Sequence, residues 1–92
     1  MPAMSQTDAS FRLSALPAWQ IESGELTRTL EFPDFRSSMS FVNRVAELAE
    51  RAGHHPAIDI RYNRVRLGLV THDAGGLTTK DFDLAAELDL LV

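Results

Sequence analysis

Two stretches of strict alternation, each doubled back by a turn of two residues, restrict the fold of this chain more than any other feature. The first runs from Ala18 to Phe32. Trp19 and Ile21 alternate with Gln20 and Glu22, Ser23-Gly24 supplies a tight turn, and Leu26, Leu30 and Phe32 alternate with Thr27, Thr29 and Glu31. A two-residue turn there sets Glu22 opposite Glu25, Ile21 opposite Leu26 and Trp19 opposite Arg28, so both apolar sets share one face. The second stretch runs from Ile58 to Val70. With Asn63-Arg64 as its turn, Tyr62 faces Val65, Ile60 faces Leu67 and Ile58 faces Leu69. Asp59, Arg61, Arg66 and Gly68 then lie on the other side, which is expected to be wet or an oligomer contact. Strands joined this tightly pair antiparallel, because parallel pairing needs a long crossover.

Between the hairpins lies one long helical pattern. Asp34 suits its N-cap and Gly53 its C-terminal stop, which places the helix from Phe35 to about Ala52. Phe35, Met39, Val42, Ala46 and Ala49 form one apolar row, and Phe41, Val45, Leu48 and Ala52 form a second beside it. Glu47 precedes Arg51 by four residues, the favourable order for a surface pair. A shorter helix is expected from Asp8, as its cap, to Leu16, where Pro17 stops it. Met1 to Thr7 is expected to be disordered, with residues 8–92 forming a single domain. A last helix follows Gly75-Gly76. Thr78 is its expected N-cap, Asp81 completes a capping box, and Phe82, Ala85, Leu88 and Leu91 give it an apolar side. The predicted order is α-β-β-α-β-β-α: an α+β fold with a four-stranded antiparallel sheet and helices packed on one face.

Composition narrows the function classes. Nine Lys and Arg against thirteen Asp and Glu give a formal charge of −4 across 92 residues, which argues against nucleic acid as a direct partner. With no cysteine, disulfide scaffolds, thiolate zinc sites and cysteine nucleophiles are excluded. A reducing compartment fits, and the expected location is cytoplasmic. No apolar run approaches the ~18 residues needed to span a bilayer, and no secretory leader is expected from the first ten residues. A short chain without disulfides makes a homodimer or homotetramer the expected state.

Three histidines carry the chemical interest. His54 and His55 follow the helix-ending Gly53 and precede Pro56, while His72 follows the last strand of the second hairpin. That strand returns antiparallel toward the corner at residues 54–56, so topology alone should bring the three imidazoles to one rim. Three readings stand side by side. The His-His-Pro corner can be a solvated helix terminus, favoured by the helix dipole. It can be a general acid/base site, since imidazole exchanges protons near neutral pH. It can be a zinc site, although neighbouring histidines diverge and neither His-x-His nor His-x-x-x-His spacing occurs. Glu50 sits one turn before His54 and reads equally as an exposed helix residue. Asp81 has a structural role as a cap. Arg61, Arg64 and Arg66 form a local basic patch that reads as a solvated face. Gly75-Gly76 before a helix is weak as a phosphate cradle and reads as a turn.

The spacing Glu50-x-x-x-His54-His55-Pro56, followed by Tyr62, His72 and Asp81, resembles the signature of the pterin-4a-carbinolamine dehydratases. The block Leu69-Val70-Thr71-His72-Asp73-Ala74-Gly75-Gly76-Leu77-Thr78-x-x-Asp81 is similar to a second motif of that family. Trp19, the stretch Leu30-Glu31-Phe32-x-Asp34-Phe35 and the segment Phe41 to Ala49 also resemble it, so the likeness spans about positions 10 to 90. The resemblance implies the fold already predicted. It also implies a hydro-lyase that dehydrates 4a-hydroxytetrahydrobiopterin to quinonoid dihydrobiopterin and water, after pterin-dependent hydroxylation of aromatic amino acids. Carried over by position, His54, His55 and His72 are the implied active-site residues, Glu50 and Asp81 their supporting carboxylates, and no metal or organic cofactor is needed. Of the three, His54 and His72 are the expected proton-transfer pair and His55 the residue that orients the pterin substrate. The family commonly carries Glu-Trp after His-His-Pro, where this chain has Ala57-Ile58. The rival reading is a non-catalytic dimerisation or assembly partner on the same fold, which would have no need of the three histidines.

Overall fold

Ser23 and Gly24 take the left-handed backbone that a two-residue hairpin turn requires, with φ of 50° and 79° in the computed structural model, which describes residues 2–92. They join β1 (Gln20–Glu22) to β2 (Glu25–Glu31) in the expected register, Glu22 with Glu25 and Ile21 with Leu26. Trp19 falls just before the strand, with its N–H donated to the Leu16 carbonyl.

The second hairpin, β3 (Ala57–Arg61) and β4 (Arg64–Leu69), differs from expectation in register. Its turn is Tyr62-Asn63, and Ile60 pairs with Val65 and Ile58 with Leu67. The displacement is by two positions, so Ile58, Ile60, Val65, Leu67 and Leu69 keep their common face while Tyr62 leaves it. Tyr62 instead occupies the turn at φ 53° with its ring 65% exposed. The cause lies outside the hairpin. The Asn63 side chain donates to the Phe32 carbonyl, and the Phe32 N–H donates to the Asn63 carbonyl, at 3.1 and 2.8 Å. These bonds extend the pairing of β2 with β4, which runs from Leu26–Leu69 to Glu31–Arg64. The sheet order is β1-β2-β4-β3, antiparallel throughout.

Three helices complete the α+β fold in the predicted order. The first, α1 (Gln6–Leu13), is displaced three residues toward the N-terminus: Ser5 rather than Asp8 is the cap and accepts the Asp8 N–H, and the helix ends at Leu13 instead of the expected Leu16. Met4, expected to be frayed, donates its N–H to Leu77 at 2.7 Å and packs on the core. α2 (Phe35–Ala52) has the expected limits, with Asp34 accepting the Ser37 N–H and Gly53 left-handed at φ 65°. The bond from Ser37 holds the Asp34 carboxyl below the usual carboxylate range. Only one stripe of α2 is buried: Ser38, Phe41, Val45 and Ala49. The stripe draws on both expected rows: Ala49 of the first and Phe41 and Val45 of the second are buried and Val42 and Leu48 pack against the core, while Phe35 and Ala46 of the first and Ala52 of the second are exposed. α3 (Thr79–Asp89) carries the predicted capping box and adds Leu84 to its buried side.

The core lies between the helices and one sheet face, where Leu26, Leu30, Val65, Leu67 and Leu69 are buried with Trp19, Phe41, Val45, Phe82 and Leu88. Asp89 fastens the far end of α3. It accepts from the Trp19 indole N–H at 2.8 Å and pairs with the half-buried Arg28 of β2. Among the described residues, no buried side-chain polar atom lacks a partner, and no helix is long and apolar enough to cross a membrane.

Candidate active site

Two helix ends and one strand end converge. α2 stops because Gly53 turns left-handed, and the His54 N–H closes the turn on the Ala49 carbonyl. This aims the chain at the first turn of α3. Meanwhile β4 runs out into Val70 and Thr71 and then a single 3-10 turn, His72–Ala74, closed by an isolated bridge between Thr71 and Gly76. Thr78 follows and caps α3.

The convergence brings His54, His55 and His72 around one hollow of about 290 Å³, whose wall also holds Thr71, Asp73 and Lys80. A second hollow, about 500 Å³, opens on the other flank of His54 and Lys80, between Arg51 and Leu48 of α2 and Leu84 and Glu87 of α3.

Each predicted site residue has a distinct setting. Asp81 is fully buried. Its Oδ1 lies 2.6 Å from His54 Nε2, and its Oδ2 accepts the Thr71 hydroxyl at 2.8 Å and the Thr78 N–H at 2.9 Å. A carboxylate only accepts, so His54 Nε2 carries the hydrogen and Nδ1 is the nitrogen left for other partners. The N-terminal end of α3 favours the negative charge on Asp81. The His54 side chain is only 14% exposed, deeper than a rim residue was expected to be. His55 pairs through Nε2 with Glu50 one turn back on α2, but both side chains are mostly exposed and the pair is freely hydrated. His72 is exposed, and among the described hydrogen bonds its ring has no protein partner.

Ala57 and Ile58 diverge as strand neighbours must. Ile58 lies half-buried against Leu67 on the covered face, and Ala57 pairs with Gly68 on the open one. Arg61, Arg64 and Arg66 lie on that open face beside Asp59 and Thr29, and each contacts a carboxylate: Asp59, Glu31 and Glu22 respectively. Among the described residues, no group of three or more His, Asp and Glu side chains is arranged to hold a metal ion.

The sequence pattern missed two contributors. Thr71 sits beside His72 and reaches Asp81 only through the fold. Lys80 lines both hollows, and nothing local separates it from any other exposed helix lysine.

The family profile described as Pterin 4 alpha carbinolamine dehydratase matches residues 2–91. A protein of Acidobacterium capsulatum, provisionally named a pterin-4-alpha-carbinolamine dehydratase, is 67% identical over 81 residues, covering 88% of each chain. One of Chloroflexus aurantiacus with the same provisional name is 55% identical over 89 residues, covering 97% of this chain and 96% of the relative. A crystal structure described as a transcriptional coactivator/pterin dehydratase from Brucella melitensis superposes with a TM-score of 0.91 at 31% identity, over 97% of each chain. This chain belongs to the pterin 4 alpha carbinolamine dehydratase family.

Proposed function

We propose that this protein dehydrates 4a-hydroxytetrahydrobiopterin to quinonoid dihydrobiopterin, as a hydro-lyase that returns the pterin cofactor of aromatic amino acid hydroxylases to use. The observation that carries this reading is the meeting of three imidazoles from two distant segments around one hollow, in a chain of this family. The chemistry requires two proton movements. One proton must reach the 4a-hydroxyl as its C–O bond breaks and water leaves. Another must leave the ring nitrogen, whose N–H electron pair becomes the new C=N bond. Imidazoles on two sides of the reacting centre do both near neutral pH without a metal or organic cofactor. His54 and His72 are assigned the proton transfers, with Asp81 holding His54 in the tautomer that leaves Nδ1 free. His55, backed by Glu50, is assigned to orienting the pterin. The protein is proposed to work as a cytoplasmic homodimer or homotetramer.

The rival is a binding partner for another protein, and the coactivator half of the Brucella protein's description favours it. A hollow ringed by three histidines supports catalysis, because a scaffold has no use for it. The deciding experiment supplies enzymatically generated 4a-hydroxytetrahydropterin to the purified protein and follows the appearance of the quinonoid product. Turnover well above the spontaneous rate is expected. A rate equal to the spontaneous one would leave the partner reading in possession.

A further inference from the structure

We infer that Thr71 is a positioning residue that ties the two proton-transfer imidazoles together by fixing the carboxylate behind His54. The inference rests on the catalytic reading of His54 and His72 but makes a separate claim about the imidazole itself.

Thr71 Oγ1 lies 2.8 Å from Asp81 Oδ2 and 2.8 Å from Thr78 Oγ1. It has one proton to give. The carboxylate has none, so the Thr71 proton goes to Oδ2, and the Thr78 hydroxyl is then the donor to Thr71. Thr78 Oγ1 in turn accepts the Lys80 N–H at 3.3 Å. Both hydroxyls are thereby oriented in one direction, toward Asp81. With the Thr78 N–H also on Oδ2, that oxygen is taken and Oδ1 is left for His54.

A capping box alone would not achieve this. The bond from the Thr78 N–H to Asp81 lies within one helix turn and is compatible with any placement of α3. Thr71 belongs to a different segment, between β4 and the 3-10 turn, and is the chain neighbour of His72. Among the described side-chain hydrogen bonds, those of its hydroxyl are the ones linking the segment that carries His72 to the carboxylate that holds His54. The site is buried at Asp81 and Thr78, so water cannot easily replace a lost donor. Without the hydroxyl, Oδ2 keeps only the Thr78 N–H, the Asp81 plane is held less tightly, and the preference of His54 for hydrogen on Nε2 weakens.

The test is nitrogen NMR of the His54 ring, under conditions where the spectrum itself shows a neutral ring, in the parent, Thr71→Val and Thr71→Ser, beside dehydration rates. The parent should show the Nε2–H tautomer. Thr71→Val, which keeps the shape and loses the hydroxyl, should shift His54 toward a mixture of tautomers and slow dehydration about 10–100-fold. Thr71→Ser should restore both. If the valine variant does not fold, Thr71→Ala carries the same comparison. A folded hydroxyl-less variant with the parent's nitrogen shifts overturns the inference, as does a parent with its hydrogen on Nδ1. A tautomer change in Thr71→Val, with no turnover by the parent, would sustain the inference about His54 while removing the dehydratase reading.

Discussion

His54 and His72 occupy unequal positions, and single substitutions should expose the difference. His54 is held by a buried carboxylate and is mostly enclosed, whereas His72 stands exposed on a 3-10 turn. His54→Ala and His72→Ala should each lower the dehydration rate by roughly 10²–10⁴-fold if each imidazole carries an essential proton transfer. Thermal melts should separate them: His72→Ala should melt with the parent, and His54→Ala slightly below it, because Asp81 loses a partner. Parent-like rates in both variants would remove them as the acid/base pair. Asp81→Ala should be the costly change. It leaves the Thr71 hydroxyl and the Thr78 N–H without their carboxylate acceptor, which at about 1–3 kcal/mol per group amounts to about 2–6 kcal/mol in denaturant unfolding. That exceeds what a surface cap would cost, and a loss under about 0.5 kcal/mol would mean water fills the gap. The three histidines were legible because imidazoles are rare and the turn chemistry around them is local. Thr71 and Lys80 were not, because their significance depends on which oxygen the fold brings within reach.

Helix ends were the most legible elements. Asp34, Gly53 and Thr78 each occupy the capping position that their side chain or backbone freedom suits. The Asp34 cap should also be visible in acid. Its carboxyl is held below the ordinary range by the Ser37 N–H, so it stabilises the fold at pH above that range. The contribution is lost as pH falls through the depressed value, when the carboxylate takes up its proton. Asp34→Asn keeps an acceptor without a titrating group. The parent should therefore melt above this variant near neutral pH, and the gap should close as the pH falls below the usual carboxylate range. A gap independent of pH would show that the charge does not contribute. Elements were misjudged where something distant had a vote. The α1 cap moved to Ser5, in a segment held by the Met4–Leu77 bond. The second hairpin turned at Tyr62-Asn63, with Asn63 bonded to Phe32. In α2, the buried stripe took Ala49 from one apolar row and Phe41 and Val45 from the other, and left Phe35, Ala46 and Ala52 exposed.

At the scale of the molecule, the uncovered surface is organised. β1 and β3 are the two sheet edges. On α2 Phe35 is half exposed and Ala46 exposed, and Tyr62 is exposed just after β3. Open strand edges and uncovered apolar side chains favour self-association. Light scattering at micromolar concentration should therefore return at least twice the 10.2 kDa of one chain. A particle of chain mass would count decisively against the homo-oligomer.

The amino-acid order alone determined the elements, the strand faces apart from Tyr62, and the fold class, because alternation, helical periodicity, caps and tight turns act over a few residues. It also determined that His54, His55 and His72 approach one rim, since a hairpin must return to where it began. Tertiary structure decided the joining of β2 to β4, the register of the second turn, which residues of the two α2 rows were buried, and the hydrogen bonds that Thr71 and Asp81 make around His54. Those outcomes depend on partners far apart in the chain, which compete for the same hydrogen bonds and the same limited sheet surface once the chain closes on itself.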